Sequence, residues 1–224
     1  MNLDIDIVRN ARSRRMRLSV DAASGRVRLT LPPRASLKRA MAWADEHRGW
    51  IEAQRVRLPE ARPFAPGATI PVEGEEVAID WSPERSRAIR IETGRLICGG
   101  PIEGLSRRIE SWLKRRALAL LSDETAEYAA KAGVTITRVS VADAKARWGS
   151  CASTGAIRYN WRLICAPPHV RRATVAHEVA HRLHMDHSPA FYAALRELYA
   201  ADPAPARAWL KRHGASLHWL GRDS

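Results

Sequence analysis

Four histidines, a glutamate and an aspartate fall within the eleven residues HEVAHRLHMDH, positions 177–187. Histidines four apart on a helix share a face, so His177 and His181 can grip one ion between them. Glu178, the next position around that helix, is offset from the pair and need not be a ligand, but it can reach a water held by the metal. This is the mechanical content of the HExxH pattern. Val175, Ala176, Val179, Ala180 and Leu183 are uncharged, so the helix suits a core better than a solvated surface. Imidazoles and a carboxylate buried without partners are penalised, and a metal is the simplest partner.

A catalytic zinc needs three protein ligands and an open position. The candidates for the third are His184, Asp186 and His187. In an unbroken helix His184 lies about 10.5 Å along the axis from His177, too far to share one ion comfortably. Ser188-Pro189 has the form of an N-cap followed by proline at the first helical position, and Phe191, Leu195 and Leu198 continue an apolar face. The chain therefore reverses at 185–187 and can fold His187 back. This favours His187 over Asp186 or a more remote acid, and gives a site of one Zn2+ per chain on His177, His181 and His187.

The helix carrying this cluster is predicted from Pro167-Pro168 to His184. Upstream, Ile109, Leu113, Ala117 and Leu121 recur at intervals of four and predict a long helix ending near Gly133. Between them, Ile157, Tyr159, Trp161 and Leu163 alternate with polar residues as a strand would, behind a short strand at 135–141. In the first hundred residues, Met16 to Leu31 reads as a hairpin with a Gly-containing turn. A Ser36-capped helix to about Arg57 follows, with Leu37, Met41, Ala44 and Trp50 as its buried stripe. Strand pairs are expected at 70–79 and 89–97, turning at Glu73-Gly74 and Thr93-Gly94. The Gly99-Gly100-Pro101 punctuation and the change of period place a domain boundary near residue 100. The expected class is α+β, with a β-rich unit over 1–100 and a catalytic unit over 101–224.

The formal charge is +13, and 32 of the 37 basic residues are arginine. Such a balance favours polyanionic partners, although an Arg and Ala bias also reflects genome composition. Arg9, Arg12, Arg14, Arg15, Arg17, Arg26 and Arg28 cluster on and around the first hairpin with only Asp21 among them, a candidate surface for nucleotide or nucleic acid. Cys98, Cys151 and Cys165 have unrelated spacings and suggest free thiols in a reducing compartment. With no run of signal-peptide or membrane-span length, a cytoplasmic protein without membrane association is expected.

The segments RWGSCASTGAIRYNWRL, APP and HEVAHRLHMDHSPAFY together resemble the YgjP-like family, related to the SprT-like and WLM metallopeptidases. The likeness is strong over 101–224 and looser over 1–100; Asp186 and Tyr192 stand where the family usually has asparagine and tryptophan. The resemblance implies a zincin-like core, a sheet with the HExxH helix behind it and zinc on His177, His181 and His187. It also implies an edge strand beside the metal, here WGSC, that holds an extended peptide. Zinc would lower the pKa of its water to about 7, and Glu178 would act as general base. Arg147, Trp148, Ser150, Asn160 and His184 are the candidate substrate-binding residues, and Arg147, His184, Tyr192 and Tyr199 the candidates for oxyanion stabilisation.

Three functions compete at this stage. The first is a zinc metallopeptidase acting on peptide or protein. The second is a metal-dependent hydrolase of nucleoside triphosphates, which has arginines for phosphate but lacks a GxxxxGK[ST] loop. The third is a nucleic-acid-associated module with structural zinc, disfavoured because closed structural sites often use thiolates.

Overall fold

The period-2 and period-3.6 segments of the sequence settle into ten strands, six α-helices and one 3₁₀ helix in a computed structural model that describes residues 4–222. Two compact units divide at 60/61. The class is mixed α+β, with three small sheets.

The first unit holds β1 (Ile5–Arg9), β2 (Arg17–Val20) and β3 (Val27–Leu31), followed by α1 (Leu37–Glu46) and α2 (Arg48–Arg55). β2 and β3 form the expected antiparallel hairpin, and β1 adds a parallel strand on the other side of β3. Register pairs Arg17 with Thr30 and Ser19 with Arg28, so these four share the face opposite Leu18 and Leu29, and arginines are displayed on one side as the alternation predicts. The helix prediction needs two changes. Ser36 Oγ does accept from Arg39 N, but the helix breaks at His47. Its buried positions are Ala40, Ala44 and Ile51, while Leu37, Met41 and Trp50 are exposed.

In the second unit β4 (Thr69–Val72), β5 (Glu75–Ser82), β6 (Arg90–Glu92) and β7 (Arg95–Gly99) form a sheet in the order β4-β5-β7-β6. The two tight turns lie where they were read: Glu73, Gly74, Thr93 and Gly94 all adopt positive φ, as a type I′ hairpin turn requires. The compact division does not fall near residue 100. Ile70, Val72, Val77, Ile79 and Leu96 bury their side chains in the same core as α3 (Leu105–Ala132), so a change of period at Gly99-Gly100-Pro101 marks a change of element inside one core. Leu105, Ile109, Leu113, Ala117 and Leu121 form the buried stripe of α3, which stops at Gly133 in the left-handed conformation.

A second small sheet, ordered β8-β10-β9, comprises β8 (Arg138–Ala142), β9 (Gly149–Cys151) and β10 (Ala156–Asn160). The expected strand stops at Asn160, and Trp161–Cys165 is a buried 3₁₀ helix. Asn160 Oδ1 accepts from Arg162 N at 3.0 Å and its Nδ2 donates to Ala144 O at 2.8 Å, so the side chain offers the backbone an alternative to the ladder. Arg162 is buried too, donating to Asp143 and to the carbonyls of Leu217 and Leu220.

Then come α4 (Pro168–Ala180), α5 (Pro189–Tyr199) and α6 (Ala204–Leu217). α4 packs against α3, α5, α6 and β9 and is buried on nearly every side. Arg171 fixes it to α3. Its guanidinium donates three hydrogen bonds of 3.0–3.1 Å to Glu124, and both side chains are about 6% exposed. Among the described residues no helix is long and apolar enough to cross a membrane.

Because desolvated ions are worth little as a pair and much when broken, Glu124→Leu and Arg171→Met should each destabilise the fold by about 3–5 kcal/mol. The double variant should recover most of that loss in denaturant titrations. Additive losses would show that the pair does not couple α3 to α4.

Candidate metal centre

α4 ends at the motif itself. Ala180 is its last residue, and the turn tightens through Arg182 N to Val179 O and both Leu183 N and His184 N to Ala180 O. The helix is thus shorter than the run to His184 that the sequence suggests. The early stop lets the chain reverse through 181–187 and re-enter a helix at Ser188, whose Oγ accepts from Phe191 N at 3.4 Å.

The reversal brings His187 onto His177 and His181. One ring nitrogen from each can be chosen so that all three lie within 4.8 Å of one another. Nε2 of His187 is 3.2 Å from Nε2 of His177. Two nitrogens on a tetrahedral zinc at about 2.05 Å would be roughly 3.3 Å apart, so this pair fits one ion. His181 Nδ1 faces the His184 carbonyl at 3.1 Å, which fixes the tautomer with Nδ1–H donating and leaves Nε2 its lone pair. Burial, the neighbouring imidazoles and Arg207 push the His177 pKa down to about 4, and burial lowers that of His181 as well. Both rings are therefore neutral near pH 7, the form a ligand needs.

Glu178 lies beside this cluster and is only 5% exposed. Burial pushes its carboxyl up to about 7, against the opposing charge of Arg147. The room for it is made by Gly149. A Cβ on that residue would sit 2.3 Å from Glu178 Oε1. A cavity of about 210 Å³ opens here, lined by His177, Glu178, Trp148, Thr174, Leu195 and Arg207 among others.

The other sequence candidates disperse. Trp148 lines the cavity, and its indole also stacks on His218 at 5.2 Å and lies so close to α6 that a Cβ on Gly214 would meet it at 2.9 Å. His184 serves the cluster through its backbone carbonyl. Asp186 Oδ1 accepts from Ser188 N and is not among the three clustered residues. Arg147 and Ser150 line a different hollow, on the outer face of the β8-β10-β9 sheet. Asn160 is corrected outright: it is 1% exposed, with both ends of its amide occupied by Ala144 and Arg162. Tyr199 donates its hydroxyl to His169 O.

Three contributors escaped the sequence reading. Phe191 is fully buried and packs on all three imidazoles at centroid distances of 4.9, 4.5 and 4.9 Å. Gly149 and Arg207 come from elements distant in sequence. Phe191 was visible only as one of several apolar positions and Gly149 only as one letter of the WGSC segment, and nothing local marked Arg207.

A family model described as YgjP-like, metallopeptidase domain, matches residues 14–213. No curated protein and no solved structure gives a match.

The geometry predicts one divalent ion per chain by elemental analysis of untagged, chelator-free protein, and a higher melting temperature when that ion is supplied. His181→Ala and His187→Ala should both lose it. Full stoichiometry in either variant would remove that histidine from the ligand set.

Proposed function

The chain belongs to the YgjP-like metallopeptidase-domain family, which supports a metal-dependent hydrolase, and from that premise we propose a zinc metallopeptidase that cleaves peptide bonds with Glu178 as general base. The observation that carries this reading is the convergence of three imidazoles, two of them held neutral by burial, beside one buried carboxylate. His177, His181 and His187 would hold the ion. Three imidazoles favour zinc, and three protein ligands suit a catalytic site better than a closed structural one. When bound, zinc supplies Lewis acidity, acidifying water and polarising a carbonyl.

The chain's own residues supply the rest. Glu178, held with a carboxyl pKa of about 7, is poised to take a proton from the attacking water and deliver it to the departing amine nitrogen. Gly149 keeps its carboxylate in place by having no side chain. Phe191 holds the imidazoles by packing. Arg207 brings a positive charge to the cavity, within the field of His177, and is a candidate to orient a substrate carbonyl. In this reading the second unit is a zincin-like core: β9 is the sheet edge nearest α4, and an extended peptide would lie along it.

Cleavage of a mixed peptide library, read by mass spectrometry, tests the proposal. Glu178→Gln should retain its metal and lower kcat/KM by about 10²–10⁴-fold. Full activity in that variant would refute the assignment of the base. Gly149→Ala should also keep the ion but lose most of kcat, because its methyl group takes the space of Glu178 Oε1. Wild-type turnover with the alanine would show that the close approach is not needed.

A further inference from the structure

The free edge of β9 has two chemically different faces. Trp148 O accepts from Asn160 N and Ala152 N donates to Ala156 O, while Ser150 is paired with Arg158. In an antiparallel ladder alternate residues bond to the partner strand. The backbone groups of Gly149 and Cys151 therefore point away from β10, toward the side where no strand pairs among the described residues. Gly149 presents its inner face to Glu178. Ser150 presents the opposite face.

On that outer face the register sets out two rows. Ser150, Arg158 and Ser140 lie across the three strands, and next to them come Ala152, Ala156 and Arg138. The two alanines leave a low floor between arginines, and Arg147 stands two residues before β9. The result is a hollow of about 330 Å³ lined by Arg138, Arg147, Arg158, Ser140 and Ser150 among others, with no carboxylate on its walls. Arg138 and Arg158 make no ion pair with any described residue, although the second unit pairs many of its other arginines, while the charge of Arg147 also reaches Glu178.

We propose that this hollow is a specificity subsite for an acidic side chain of the substrate. A peptide bonded to Gly149 and Cys151 along the free edge of β9 turns the residue opposite Ser150 onto the arginine face. Its neighbours on either side face Glu178. Successive strand residues alternate faces, so the acidic position is displaced from the residues that meet the catalytic face by one place in the sequence. Guanidinium groups and serine hydroxyls suit a carboxylate or a phosphate ester. The inference rests on the peptidase reading for its substrate.

Zinc-loaded Glu178→Gln protein, titrated with fluorescent peptides that differ at one scanned position, measures binding apart from cleavage. The peptide set carries aspartate, phosphoserine, serine or lysine at that position. At one register, aspartate or phosphoserine should bind about ten-fold more tightly than serine, with a preference that weakens as salt rises. Comparison of the two acidic peptides tells whether a carboxylate or a phosphate is preferred. The pair Arg138→Glu and Arg158→Glu should shift the preference to lysine, and the milder Arg138→Gln and Arg158→Gln should flatten it. Equal affinity for all four peptides, no peptide binding, or an acidic preference that survives charge reversal would overturn the subsite. Library cleavage by the wild type separates the two readings. Cutting without acidic preference sinks the subsite and leaves the peptidase; acid-selective binding without cutting sinks the peptidase and leaves an acidic-peptide site.

Discussion

The site depends on carrying ionisable groups into the interior on a helix that leaves almost no face to solvent. α4 is buried against α3, α5, α6 and β9, and it holds His177 and Glu178 as part of that packing. Helix–helix packing is largely non-directional, so apolar contacts alone would tolerate small slides of α4 along its neighbours. A bidentate ion pair would not. Arg171 and Glu124 join α4 to α3 through three hydrogen bonds, with both side chains almost fully desolvated. Such pairs add little net stability over an apolar replacement. Their value here is positional, because the guanidinium plane fixes the rotation of α4, and with it the direction of residues 177 and 178, two turns along.

The second requirement is that α4 must end. An unbroken helix through 187 would spread His177, His181, His184 and His187 along its length, with the last about 15 Å from the first. Termination at Ala180 converts that separation into a reversal. The same turn puts the His184 carbonyl against His181 Nδ1, so one backbone feature both ends the helix and orients the His181 ring. Ser188 and Pro189 then restart the chain as α5, and Phe191, in its first turn, becomes the surface on which the three rings rest.

Much of this was legible because it is local. The i, i+4 histidines, the Ser-Pro restart, the stripe of α3 and the two hairpin turns each depend on residues within a few positions of one another. The failures share the opposite character. Asn160 and Arg162 looked like the outward face of a strand, since alternation does not reveal that Leu217, Leu220 and Ala144 supply buried carbonyls. Gly149 looked like part of a short motif, and its need to be glycine comes from Glu178, 29 residues on. The boundary near residue 100 failed for a related reason. Gly-Gly-Pro punctuation records where regular structure changes, whereas core membership is set by side chains that meet across the sequence, as Ile79 and Leu96 meet the core of α3.

The electrostatics of the centre explain why such an arrangement favours an ion. Burial disfavours a charged imidazole here, and repulsion from the neighbouring imidazoles and Arg207 adds to it, so His177 is held neutral well below its ordinary pKa. Neutral rings are left with lone pairs converging on one point, where at most some can be satisfied by a shared proton, as between His177 and His187. Glu178 adds the complementary deficit: a buried carboxyl for which no hydrogen bond to a described residue is seen, and whose charged form burial disfavours. A divalent cation removes both deficits together, accepting the lone pairs and stabilising the nearby carboxylate. The surrounding fold therefore carries an unfavourable local arrangement that a bound ion would relieve, and the buried Arg171–Glu124 pair, the turn at His184 and the packing of Phe191 hold that arrangement in place.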